Sequence, residues 1–233
     1  MSLYIVSTPI GNLSDISHRA SKVLSEVDLI LAEDTRDSKK LMNHLGISTP
    51  MNAYHDFNKE RVTPGLVASL KEGKEIALIT DAGTPGVADP AFNLVRAAIK
   101  EGITVIPIPG ASAFLAALVA SGLPTDRFIF ENFLPHKSSQ RRKLLDSFIT
   151  EPRTVIFYET PHRIVKTLED IKAVLDNVQV VIARELTKIH EEFLRGSADE
   201  LLEHFSVHPP RGEMVILINT RVKTPLMASQ PGK

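Results

Sequence analysis

The 233-residue chain is 43% hydrophobic and 24% charged, the composition of a folded globular protein and not of a disordered or fibrous one. Its 27 Lys+Arg against 28 Asp+Glu leave a formal net charge of −1, so the strongly basic balance of many nucleic-acid binders is absent. With no cysteine, disulfides, thiolate metal sites and thiol nucleophiles are excluded, consistent with a reducing, cytoplasmic setting.

The N-terminal Met-Ser-Leu-Tyr-Ile-Val lacks the basic region and cleavage site of a signal peptide. Short apolar runs at 3–7, 29–32, 76–80 and 104–108 read as buried strands bounded by turn residues. Helical periodicity falls between them, at 17–27, 38–45, 58–72 and 89–100. Asp89-Pro90 reads as a helix start, the carboxylate capping free N–H groups and proline fitting the first helical position. Strands alternating with helices imply a mainly parallel sheet covered on both faces.

Ile106-Pro107-Ile108-Pro109-Gly110 punctuates the chain, so one domain is expected over 1–110 and a second over 111–220. A small-residue helix follows at 111–121. Its apolar run 113–120 is the longest in the sequence and far too short to span a bilayer, so no membrane partner is expected. Strands follow at 128–130, 154–158, 178–183 and 214–219, with helices near 138–148, 161–175 and 198–205. Thr160-Pro161 repeats the cap-plus-proline start, and Ser197 with Glu200 forms a capping box. A hairpin around 191–196 makes this second sheet mixed. The polar residues 221–233 read as a flexible tail.

Polar and glycine residues gather just after the predicted strands: Thr8-Pro9-Ile10-Gly11-Asn12, Glu33-Asp34-Thr35-Arg36, Asp81-Ala82-Gly83-Thr84-Pro85-Gly86 and Pro109-Gly110-Ala111-Ser112. In an open α/β sheet these loops share the carboxyl edge, where ligands bind. Any one of them is equally a plain turn; four on one edge point to a small-ligand pocket. No GxGxxG, P-loop or HExxH pattern is present, and no His, Asp and Glu cluster has metal-ligand spacing, so no metal is expected.

LYIVSTPIGNLSDIS, LAEDTRDSKKLM, TDAGTPGVADP, PIPGASAFLAALVASGLPTDRFIF, FLPHKSSQRR, FYETPHRI and ARELTKIHEEF follow one another in this order. Over about 3–218 the sequence thereby resembles the ribosomal RNA small subunit methyltransferase I family, within the tetrapyrrole (class III) methylase superfamily. The resemblance implies two αβα domains with S-adenosylmethionine in the cleft between them, and a homodimer. It implies in-line methyl transfer to the 2′-hydroxyl of a cytidine in the decoding region of 16S rRNA, with the small ribosomal subunit as partner. Tetrapyrrole methylation, or a non-catalytic role in ribosome assembly or RNA binding, are the alternatives, since fold does not determine substrate.

Carried over by motif, the cofactor contacts are Pro9, Ile10, Thr84, Val87, Ser112 and Ala113, with Tyr158, Leu186 and Met214 in the second domain. Arg36, Lys137, Arg141, Arg142, Lys143, His162 and Arg163 are the RNA-contact candidates; a solvated basic helix face is the plain reading of the 137–143 run. Proton removal from the ribose hydroxyl needs an assisting group, for which Glu33, Asp34, His162, Glu185 and Lys188 are available. Lys188 with Glu185 is the pair expected nearest that hydroxyl, although a lysine that stays charged would bind phosphate instead. The sequence departs from the family at Asn132, where glycine is expected, and at Ala88 and Ala91, where serine and glycine are expected. The small C-terminal domain of longer members has no counterpart.

Overall fold

The computed structural model describes residues 1–222. Its first strand, β1 (Ser2–Val6), leads through a short 3₁₀ turn into α1 (His18–Glu26), capped by the Ser17 hydroxyl, which accepts from the Ala20 N–H at 3.1 Å. Then come β2 (Leu29–Ala32), α2 (Thr35–Leu45), β3 (Met51–Ala53), α3 (Lys59–Lys71), β4 (Ile76–Leu78), α4 (Ala91–Lys100) and β5 (Thr104–Ile108). The strands lie side by side in the order β3-β2-β4-β1-β5, every pair parallel.

Strand alternation divides the core of this sheet in two. Val6, Ile30, Ala32 and Ala77 meet Ala20 and Leu24 of α1 and Leu41 and Met42 of α2. Leu3, Leu31, Ile76 and Leu78 meet Leu70 of α3 and Leu94 and Ala98 of α4. Each fully buried leucine, such as Leu24 or Leu94, contributes about 1.5–3 kcal/mol by leaving water.

Three helix starts differ from the sequence expectation. At α4 the cap position falls on Pro90, not Asp89; the Asp89 carboxylate instead accepts the Gly86 and Ala91 N–H groups at 2.8 and 2.9 Å, closing the turn before the helix. In the 161–175 segment the helix begins only at Ile164, because the Thr160 carbonyl takes the Arg163 and Ile164 N–H groups in a tight turn. At α2 the helix starts earlier than expected, because Asp34 accepts the Arg36 N–H at 2.8 Å and so acts as its cap.

Chain contacts divide the molecule after Ser112, just past the boundary expected at residue 110. The second unit runs α5 (Ala113–Ser121), β6 (Phe128–Phe133), α6 (Ser138–Ser147), β7 (Thr154–Glu159), α7 (Ile164–Leu175), β8 (Gln179–Arg184), β9 (Glu192–Gly196), α8 (Ala198–Val207) and β10 (Met214–Asn219). Its order is β6-β7-β10-β8-β9, with β6 parallel to β7 and the remaining pairs antiparallel. One face carries Val155, Phe157, Val180, Ile182, Ile216 and Ile218 against Leu145, Leu168, Ile171, Leu201 and Phe205 from α6, α7 and α8. The capping box of α8 forms as read: Ser197 and Glu200 satisfy each other's backbone N–H groups. The flexible tail expected over 221–233 lies, from residue 223, outside the described residues.

Candidate functional site

In the first unit all strands point the same way, so the four polar loops, three of them carrying glycine, emerge at one carboxyl edge. Three of them are bound together by backbone. Thr8 and Gly83 exchange N–H···O bonds at 2.8 and 3.1 Å, and the Ser7 N–H donates to the Ile108 carbonyl at 3.2 Å. A hydroxyl relay runs from Ser7 Oγ to Thr84 Oγ1 (2.9 Å) and on to the Ala111 carbonyl (3.0 Å). The Thr84 hydroxyl is thus engaged within the fold. Gly110 packs so tightly that a Cβ there would lie 2.8 Å from Ser7 Cβ. Pro9 is buried here, and Ile10, Val87 and Ser112 are half-buried.

Gly83 and Gly86 hold φ near +85° and +91°, values open to glycine at little cost, and Ala88 holds +69° without that freedom. The loop therefore carries strain in the segment the sequence reading assigned to the cofactor, as ligand-gripping loops commonly do. A backbone surface stripped of side chains, at the carboxyl edge of a parallel sheet, suits a small ligand recognised by main-chain groups.

An acidic cluster borders these loops. Glu33 accepts the Thr80 hydroxyl at 2.7 Å, and Asp81 accepts the Asp34 N–H at 2.9 Å. Asp34 and Arg36 form the loop-fixing ion pair, Nη2 to Oδ2 at 2.6 Å, and this pairing holds the Asp34 carboxyl far below its ordinary range. Arg36, proposed from sequence for RNA, is exposed but carries this partner. Burial pushes Asp81 and Asp89 upward. Sequence reading passed over Asp81, whose neighbour Asp34 lies 47 residues earlier.

The second unit presents the turn between β8 and β9, where Glu185 and Thr187 both hold positive φ, +50° and +66°. The Lys188 ammonium donates to Glu185 Oε1 at 3.0 Å and Glu213 Oε2 at 2.9 Å, and the Glu213 N–H reaches Glu185 Oε1 at 3.1 Å. Burial pulls Lys188 down, but its hydrogen bonds to Glu213 and Glu185 outweigh that and hold it above the ordinary lysine value. The Lys188 hydrogen bond lowers Glu185 in turn. This arrangement argues against Lys188 as a neutral base: it is a fixed cation between two carboxylates.

Tyr158 is half-buried among Phe130 (ring centroids 5.0 Å) and Phe133 (5.6 Å), and burial raises its hydroxyl. Ala113 opens α5, and Leu186 is buried beside the strained turn. Met214 is 2% exposed, with its side chain inside the core cluster.

The basic run needs correction at two residues. Arg141 is 3% exposed and faces inward, bound to Asp170 through Nε (2.7 Å) and Nη2 (2.6 Å). Arg163 likewise folds against Glu159 (3.2 Å) and the Leu134 carbonyl (2.7 Å). Neither guanidinium is free to meet RNA. Lys137, Lys143 and His162 are exposed, and Arg142 is half-exposed with its Nε on Asp170. Among the described residues no group of three or more His, Asp or Glu is arranged to hold a metal.

With this geometry in view, comparison decides the family. The family model for Tetrapyrrole (Corrin/Porphyrin) Methylases matches residues 2–202. A ribosomal RNA small subunit methyltransferase I of Halalkalibacterium halodurans is 50% identical over 217 residues, covering 93% of this chain and 75% of that one. One from Thermotoga maritima is 45% identical over 217 residues, covering 93% of this chain and 97% of the other. The chain belongs to the ribosomal RNA small subunit methyltransferase I family of tetrapyrrole methylases. Two solved structures share the family fold: a diphthine synthase (TM-score 0.75, 17% identity, 97% of this chain and 92% of that one) and the Thermus thermophilus uroporphyrin-III C-methyltransferase complexed with S-adenyl homocysteine (0.63, 18%, 93% and 97%). Asn132, where the resemblance led us to expect glycine, holds φ +56°, a conformation that asparagine tolerates better than other L-residues.

Proposed function

We infer that this chain is an S-adenosylmethionine-dependent methyltransferase that modifies the ribose 2′-hydroxyl of a cytidine in the decoding region of small-subunit ribosomal RNA. The observation that carries this reading is 45–50% identity, over nine-tenths of the chain, to ribosomal RNA small subunit methyltransferases I. In the first unit, Pro9, Ile10, Thr84, Val87 and Ser112 hold the methyl donor, Thr84 through its backbone because its hydroxyl is engaged. The glycine-built loop around Gly83 and Gly86 fits such a ligand. When bound, the donor supplies an electrophilic sulfonium methyl.

The chain's own contribution is binding and orientation, which alone can lower a displacement barrier substantially. Lys188, bound between Glu185 and Glu213, holds the turn after β8 in one form and acts through its charge on these two carboxylates. Lys137, Arg142, Lys143 and His162 add exposed positive or hydrogen-bonding groups. No described helix is long and apolar enough to cross a membrane.

A second copy of this chain completes the reading. On α5, Ala117 and Leu118 are buried while Leu115 and Val119 (75% exposed) share one outer face, four residues apart. A homodimer covering that face predicts that Val119→Asp sediments as a monomer; a dimeric variant would move the interface elsewhere.

The deciding experiment transfers labelled methyl from S-adenosylmethionine to small subunits from cells lacking this protein, with naked rRNA and a tetrapyrrole in parallel. Label recovered as 2′-O-methylcytidine at one site, mainly on the subunit, is the expected result. Label on the tetrapyrrole alone would overturn the substrate assignment.

A further inference from the structure

Two arginines of the second unit, Arg141 buried and Arg163 half-buried, converge on the carbonyls of three consecutive residues. Arg141 Nη1 donates to the Pro135 and His136 carbonyls, each at 3.3 Å, and Nη2 reaches the Lys166 carbonyl at 3.5 Å. Arg163 Nη2 donates to the Leu134 carbonyl at 2.7 Å and the Pro135 carbonyl at 3.5 Å. Each arginine is anchored by an acid that is itself 2% exposed: Asp170 for Arg141, Glu159 for Arg163.

The acids are saturated in turn. Asp170 also accepts from the Ser138 hydroxyl (2.9 Å) and Arg142 Nε (2.5 Å); Glu159 accepts from the Thr167 hydroxyl (2.6 Å) and the Thr160 N–H (2.8 Å). Burying two ion pairs is a poor route to stability, since an apolar cluster of equal volume does as well or better. What the network does provide is a single backbone form for 134–137. The segment enters through a register shift between Phe130 and Phe133 and the positive φ of Asn132, and it leaves into α6 at Ser138, whose hydroxyl the network also holds.

Its carbonyls are satisfied from within, while His136 and Lys137 are exposed. A lysine on a loose loop loses conformational entropy on gripping a phosphate; one on a fixed loop loses less. We propose that Arg141 and Arg163 are positioning residues for RNA: they hold the 134–137 loop so that His136 and Lys137 meet the phosphate backbone of the substrate. The proposal rests on the ribosomal RNA reading above.

The test is a double-mutant cycle read in steady-state methyl transfer to small subunits, with S-adenosylmethionine affinity measured separately. Lys137→Ala and Arg141→Lys are each expected to raise the KM for subunits about fivefold, with less change in kcat. Together they are expected to raise it little beyond either alone, because a displaced loop no longer delivers Lys137. Fully multiplicative effects, or an Arg141→Lys protein that is less heat-stable with an unaltered KM, would overturn the positioning role. No effect of Lys137→Ala or His136→Ala while methylation proceeds would overturn the loop's contact with RNA and leave the enzymatic assignment standing. Should Arg141→Lys not fold, Arg163→Lys, which leaves the Arg141–Asp170 pair in place, enters the cycle under the same criteria.

Discussion

The space that Gly212 leaves by lacking a side chain is filled by the carboxylate arm of Glu185: a Cβ on Gly212 would collide with its Cγ, Cδ and Oε1. Gly212 also holds φ +77°. Gly212→Ala therefore forces Glu185 out and releases Lys188 from one of its two anchors. The expected cost is about 1–3 kcal/mol, visible in thermal unfolding, with a fall in methyl transfer larger than the stability loss explains. A variant with wild-type Tm and turnover would show that Glu185 relocates freely.

Lys188 is expected to act by charge. Lys188→Arg keeps a cation and should retain a large part of the activity, whereas Lys188→Ala should lose about tenfold in kcat/KM for small subunits. The pH profile of kcat should be the same for Lys188→Arg as for the wild type. A folded but inactive Lys188→Arg would restore the neutral-base role.

Asn132 separates two backbone demands. Asn132→Gly should leave stability nearly unchanged, because glycine adopts φ +56° freely, while Asn132→Ala should cost about 1 kcal/mol for the left-handed conformation. Denaturant unfolding of the pair measures this; equal midpoints would mean the turn relaxes.

His204, near the end of α8, stacks on His208 at 4.6 Å, and burial first, then the His208 charge, holds its pKa below 6.5. A depressed folded-state value means that the native state binds fewer protons than the unfolded chain. Its contribution is intact above pH 6.5 and is lost as pH falls through and below that value. Unfolding free energy should drop between pH 7.5 and 5.5, and His204→Gln should flatten that slope. An unchanged slope would assign the titration elsewhere.

Sequence reading located the long strands because each is a continuous apolar run, and it missed β3 because Met51-Asn52-Ala53 offers no such run. The basic stretch misled at Arg141 for an instructive reason. Arg141, Leu145 and Phe148 recur at helical spacing, and all three are buried, so periodicity already put this arginine on the inner face. Its partner Asp170 lies 29 residues further on and leaves no local mark. Lys188 was half legible in the same way: Glu185 stands three residues before it, but Glu213 reaches it only through the folded sheet.

The brevity of β3 has its own consequence. A sheet margin offers unpaired peptide groups on which another chain can grow, and natural proteins guard against this by keeping the marginal strand short. Three residues with an exposed Asn52 and Ala53 form too small a template for such growth. The sheet is thereby protected along its β3 margin against fibrillar self-association.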